Sequence, residues 1–218
     1  MSAARLARAS TVDQLAAVLR ERILAGELEP GRRLVERELV EAYDVARHTL
    51  RAALRQLQVE GLVRVEPHRG ARVAALSADD LSELFALRLA LEREAAHLAL
   101  ERGDGRLPRA VHAAAERLRE LAAARGTSWN DLSRAHEGVH RGLVAASGAP
   151  RIERAYDALS TELALFLSQL RPVWTRERLG PDHIALVRDL ERKGPDVLRE
   201  HMAQALRALE PGRPTRPG

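Results

Sequence analysis

Hydrophobic and polar positions along the chain fall into two kinds of pattern. Between residues 12 and 26 the apolar positions Leu15, Val18, Leu19 and Ile23 recur at helical spacing, and Pro30-Gly31 ends the run. Shorter helices are predicted over 35–43 and 47–58, joined by the tight connection Asp44-Val45, with Gly61 as a stop. Residues 62–65 and 71–74 read as strands about a turn at 66–70. Helix, helix, turn, helix, hairpin is the element order of a winged helix-turn-helix. From Ser77 onward every periodic stretch is helical. Ser77 opens a capping box with Asp80, and helices are predicted over 77–102, 108–124, 128–146, 150–170, 181–192 and 195–209. Pro172 breaks the chain between the fourth and fifth of these. Short connections imply antiparallel neighbours. The expected fold is mainly α: a winged helix-turn-helix over 10–76, an antiparallel all-helical bundle over 77–210, and a disordered tail over 211–218.

Composition narrows the functional classes. The 218 residues include no cysteine, which excludes a disulfide framework, a thiolate zinc finger and a cysteine nucleophile. No apolar run approaches the roughly 18 residues of a membrane helix, so the chain is expected to be cytoplasmic. Lys+Arg total 35 against 31 Asp+Glu, and Lys193 is the only lysine. Arginine's planar fork suits bidentate recognition of phosphate and guanine.

Arg47, Arg51 and Arg55 are four residues apart, so on a helix they form one stripe about 80° wide. Leu50, Leu54 and Leu57 form a second stripe about a quarter turn away. One face can pack while the other stays wet and positive. Between 47 and 72 stand the arginines 47, 51, 55, 64, 69 and 72 against the acids Glu60 and Glu66. Such a helix fits the major groove of a duplex, with His68-Arg69-Gly70 as the tip of a wing.

Histidines carry the candidate chemistry of the second region. His136 and His140 are i and i+4 and share their side with Leu132, Val139 and Leu143. His183 lies with Leu186, Val187 and Leu190, and His201 with Leu198, Met202, Ala205 and Leu209, whereas His97 falls opposite its apolar stripe. Inward imidazoles need partners, and several can be satisfied together by Zn²⁺, Ni²⁺ or Mn²⁺. Arg88 and Glu92 also fall on an apolar stripe, either as an internal i,i+4 ion pair or with Arg88 awaiting an anion. His136-Glu137-Gly138-Val139-His140 matches the H-E-x-x-H pattern of zinc peptidases, but no strand is expected nearby to hold a peptide.

Two resemblances sharpen this reading. "LRERILAGELEPGRRLVERELVEAYDVARHTLRAALRQLQVEGLVRVEPHRGARV" resembles the N-terminal domain of GntR-family transcriptional regulators. The resemblance implies operator contacts from Arg37, Arg47, His48, Thr49, Arg51, Arg69 and Gly70. Ala46 stands where that family usually has Ser or Thr. "DLSELFALRLALEREAAHLAL" and "HEGVHRGLVAASGAPRI" resemble the FCD-type effector domain of the FadR subfamily. That implies a divalent metal held by His136, His140, His183 and His201, with His136 where an Asp is usual. His183 and His201 are about one helical turn closer in sequence than the pattern expects. It also implies a small organic acid as effector, received by the metal and Arg88, and a homodimer on an inverted-repeat operator, acting as a repressor. The competing readings are a peptidase using the H-E-x-x-H motif and a DNA-binding dimer with no effector.

Overall fold

The computed structural model describes residues 10–66, 70–170 and 175–207. The predicted turn residue Arg69, the break at Pro172, Leu209 and the tail over 211–218 lie outside the described residues. The chain divides into two compact units, residues 1–75 and 76–218.

The first unit contains α1 (Thr11–Leu24), β1 (Arg33–Leu34), α2 (Glu36–Tyr43), α3 (Arg47–Val59), β2 (Val63–Glu66) and β3 (Gly70–Val73). This is the winged helix-turn-helix expected from the pattern. Ser10 caps α1 reciprocally with Asp13. Asp44 (φ 47°) takes the left-handed turn that joins α2 to α3, a conformation Asp tolerates better than most residues. At the end of α3 the Leu62 N–H bonds to the Leu57 carbonyl and the Gly61 N–H to the Gln58 carbonyl. That closing motif needs positive φ at residue 61, which glycine supplies at +76°. Leu15, Leu19, Ile23, Leu50, Leu54 and Leu57 form the buried seam between helices. Val18, expected on the same face, is 42% exposed because it sits at the edge of the stripe.

The hairpin pairs Val63 with Val73 and Glu66 with Gly70. The sequence pattern missed β1, which pairs Arg33 with Arg72 and Leu34 with Ala71 to give the order β1-β3-β2. Two residues are too few for a period to register.

The second unit is α4 (Ala78–Arg102), α5 (Arg109–Ala123), α6 (Trp129–Ala146), α7 (Pro150–Asp157), α8 (Ser160–Leu170), α9 (Arg176–Lys193) and α10 (Val197–Arg207). Ser77 and Asp80 form the predicted capping box. Two expectations need correction. The helix predicted over 150–170 is two helices, broken at Ala158-Leu159 by a tight turn in which the Leu159 N–H bonds to the Tyr156 carbonyl. No Gly or Pro marks that break. The helix expected to begin at Pro181 begins at Arg176 and carries Pro181 inside it. Gly180 explains how α9 lies so near α5: a Cβ there would come within 2.6 Å of the Arg119 Cα. The core joins α4, α5, α6, α8, α9 and α10, with Phe85 and Phe166 in edge contact at 4.6 Å. Among the described residues no helix is long and apolar enough to cross a membrane.

Candidate functional site

Each unit presents its own arrangement. In the first, Arg47, Arg51 and Arg55 all stay exposed while Leu50, Leu54 and Leu57 are buried. The two stripes of α3 thus separate as the spacing requires. Arg37 is exposed on α2, His48 is exposed beside Arg47, and Thr49 is half-buried. Gly70 opens β3 at φ +82°, and a Cβ built there would meet nothing within 4 Å, so an approaching backbone finds open space. No side chain caps α3, because Ala46 has no oxygen to offer.

One partner on this face carries no signal in the sequence pattern. Glu36, at the start of α2, accepts from Arg51 Nε at 3.0 Å and from its terminal nitrogen at 3.0 Å. The pair spans fifteen positions, so no helical spacing announces it. It holds the Arg51 charge more firmly than usual through the carboxylate hydrogen bonds.

In the second unit α6 supplies His136 and His140, and α9 supplies His183, all three buried. One ligand atom from each can be chosen so that all lie within 4.8 Å of one another. His201 of α10 is half-buried, with its ring centroid 4.8 Å from that of His183 and 5.4 Å from that of His140. It borders the chamber but stands outside the tight triad. His97 is exposed beside Glu101, as its register implied.

The hydrogen bonds fix two tautomers. His183 Nδ1 lies 2.7 Å from the Leu179 carbonyl oxygen, which can only accept, so that nitrogen carries the proton. His140 Nδ1 lies 2.8 Å from Glu92 Oε2 and donates to it. The two Nε2 atoms, each left with a lone pair, then face each other 3.1 Å apart. Such lone pairs repel unless a cation lies between them. Tetrahedral zinc with Zn–N near 2.0–2.1 Å places ligand nitrogens about 3.3–3.4 Å apart, so the donors fit a divalent ion. Burial above all, then neighbouring imidazoles and Arg88, holds His136 and His201 well below the usual histidine range. Burial and then Arg88 do the same for His140, and burial pushes His183 down to about 4. Neutral imidazoles are the ligand form.

Glu92 is the hinge of the surrounding network. Its second oxygen accepts from Arg88 Nε at 2.6 Å, and both side chains are buried. Arg88 is therefore paired internally, the first of the two alternatives left open by its position. Burial works against the Arg88 charge, and Glu92 and Tyr156 more than offset it. Tyr156 of α7 is buried and interacts with both; burial and the adjacent carboxylate push its hydroxyl far above the ordinary range. Sequence reasoning missed this residue, because a lone tyrosine on a short helix gives no periodic signal. Glu137, the would-be general base of H-E-x-x-H, is half-buried and faces the charges of Arg141 and Asp157.

Comparison with known proteins decides the class. Residues 11–73 match the bacterial regulatory proteins of the gntR family, and residues 83–208 match the FCD domain. The chain belongs to the GntR family of transcriptional regulators. The regulator is 30% identical to the uncharacterized HTH-type transcriptional regulator BphR of Paraburkholderia xenovorans over 198 residues, 86% of this chain and 80% of that protein. It is 28% identical to the HTH-type transcriptional repressor GlaR of Escherichia coli, over 84% of this chain and 89% of that one. A GntR regulator structure from Rhodococcus shares its fold at TM-score 0.68 and 24% identity, covering 93% of this chain and 99% of that one. The regulator is thus a DNA-binding protein with an FCD domain and not an enzyme; the peptidase reading of 136–140 is set aside.

Proposed function

We propose that the regulator is a ligand-responsive repressor that binds an inverted-repeat operator as a homodimer. In this reading residues 10–76 read DNA, residues 77–210 bind effector and dimerise, and 211–218 form a tail. Arg37, Arg47, His48, Thr49, Arg51, Arg69 and Gly70 contact the operator. His136, His140, His183 and His201 hold a divalent ion, Zn²⁺ before Ni²⁺ or Mn²⁺. The observation that carries the proposal is the facing pair of Nε2 lone pairs of His140 and His183 in a buried chamber.

When bound, the ion would supply a Lewis-acidic centre for a carboxylate oxygen of a small organic acid. The chain's own residues do the rest. Glu92 holds His140 in the tautomer that aims its lone pair inward, and the Leu179 carbonyl does so for His183. Arg88 can receive an anion only if that anion competes with Glu92. A ligand shifts operator affinity only as far as it prefers one arrangement of the protein over another, and here the effector is expected to loosen DNA binding.

Elemental analysis of the purified chain and of the double variant His140→Ala/His183→Ala tests the chamber. Parent protein is expected to retain about one divalent ion per chain and the variant none; equal metal in both would place the site elsewhere. Gel-shift titration of metal-loaded protein with carboxylic acids then tests the switch, and tighter operator binding would reverse its sign.

A further inference from the structure

We propose that His201 is an exchangeable ligand. It closes the shell of the ion held by His136, His140 and His183, and it yields its place to the carboxylate of the effector. The inference rests on the metal-chamber reading above and adds to it the residue through which an effector acts.

The four imidazoles are not equivalent. His136, His140 and His183 are 2%, 0% and 0% exposed, and one ligand atom from each lies within 4.8 Å of the others. His201 is half-buried and stands outside that group. Its ring centroid is 5.4 Å from that of His140, whereas the His136 ring is 4.8 Å from it. Anchoring separates them further. A ligating histidine is normally oriented by a hydrogen bond from its other ring nitrogen. His140 has Glu92 for this, and His183 has the Leu179 carbonyl. Among the described residues the His201 ring makes no hydrogen bond. It can turn away from an ion without breaking one. Of the four it alone reaches solvent, so an anion arriving from water meets its edge of the chamber first.

Three protein ligands hold a zinc ion and leave a fourth position for water or another group. Losing His201 therefore leaves the ion bound. Charge favours the exchange. Arg88 and Glu92 cancel each other, and the imidazoles are neutral, so the double charge of an ion is uncompensated in a buried place. A carboxylate brings the negative charge that His201 lacks. Its oxygen donates an electron pair to the ion as the His201 nitrogen withdraws its own, and neither redox change nor proton transfer is needed. His201 shares α10 with Leu198, Met202 and Ala205, which are buried in the core. Exchange removes a polar tie between α10 and the chamber, and so gives the effector a preference between two arrangements of the protein.

The visible bands of Co²⁺ report its ligands, and acetate serves as the carboxylate. The full chain is loaded with Co²⁺ as parent, His201→Ala, His201→Leu and His140→Ala/His183→Ala, then dialysed and titrated. Thermal melts check folding, and the leucine variant keeps the volume of the side chain. Parent and both His201 variants are expected to keep about one ion per chain, and the double variant none. Before acetate, the parent spectrum should differ from those of the His201 variants. At saturating acetate the spectra should converge. His201→Ala should reach half-saturation at roughly tenfold lower acetate, because no side chain competes for the position. Acetate should also quicken backbone amide exchange over 197–207 in the parent, and unchanged exchange would overturn the link to α10. Identical spectra before acetate would mean that His201 never joins the ion. Spectra that stay distinct at saturation, or a parent spectrum that acetate does not alter, would mean that His201 is not displaced. Loss of metal from both His201 variants would make it an indispensable ligand. Each of these results overturns the proposal. A parent that retains no Co²⁺ would instead overturn the metal-chamber reading.

Discussion

The regulator uses an Arg–Glu pair in both of its units, in opposite ways. Arg51 and Glu36 meet at 3.0 Å with side chains 59% and 36% exposed, and Arg88 and Glu92 meet at 2.6 Å with side chains 5% and 0% exposed. On the surface, water already solvates both charges, so pairing contributes little to stability and the geometry it imposes is what matters. Inside the bundle no water replaces a lost partner, so breaking the pair leaves a bare charge in a poorly polarisable medium. The same chemistry serves orientation in one place and structural integrity in the other.

The largest expected effect follows from the buried pair. Glu92→Ala should cost about 3–5 kcal/mol in urea unfolding, because Arg88 is left uncompensated and the His140 donor loses its acceptor. The double variant Arg88→Met/Glu92→Leu should recover much of that loss by removing both charges together. If Glu92→Ala unfolds with the parent, the pair is not the internal tie that its burial indicates. Arg51→Ala is the counterpart and should leave the unfolding midpoint unmoved.

A second test breaks the comparison on the DNA side. Arg47→Ala should lower affinity for any duplex. It should also flatten the dependence of log affinity on log salt by about 0.9, the share of a single neutralised phosphate. Unfolding should not change, since the Arg47 side chain projects into solvent. An unaltered salt slope would take Arg47 off the phosphate backbone.

The first unit was more legible in sequence than the second, for physical reasons. An amphipathic helix separates its faces by spacing alone, so the buried leucines and exposed arginines of α3 could be read directly. Glycine at 61 and serine at 77 announce a helix end and a helix start through backbone chemistry that few other residues satisfy. The inward side of His136, His140 and His183 was equally visible as periodicity. What spacing cannot carry is which elements meet. The Glu36–Arg51 and Glu92–His140 pairs join residues 15 and 48 positions apart, and Tyr156 reaches the same network as Glu92 from a third helix. The break between α7 and α8 and the continuation of α9 through Pro181 are likewise settled by packing, against the local signals.

The smallest expected effect concerns residue 46. Ser10, Ser77 and Ser128 each cap a helix by accepting from the backbone N–H of an aspartate three residues on, at 3.2, 3.1 and 3.1 Å. Ala46 holds the same position before α3 with φ −69° and ψ 148°, almost the backbone of Ser128 at −69° and 157°. A serine there needs no rearrangement for its Oγ to accept from the Thr49 N–H. Ala46→Ser should therefore raise stability by about 0.5–2 kcal/mol, seen as a higher urea midpoint at unchanged slope. The hydroxyl proton of that serine would still point outward, beside Arg47, where it can donate to a phosphate. Affinity should then rise uniformly across sequences. A gain in stability without any gain in affinity would place the start of α3 away from the DNA backbone, and so separate the fold of this helix from its proposed docking.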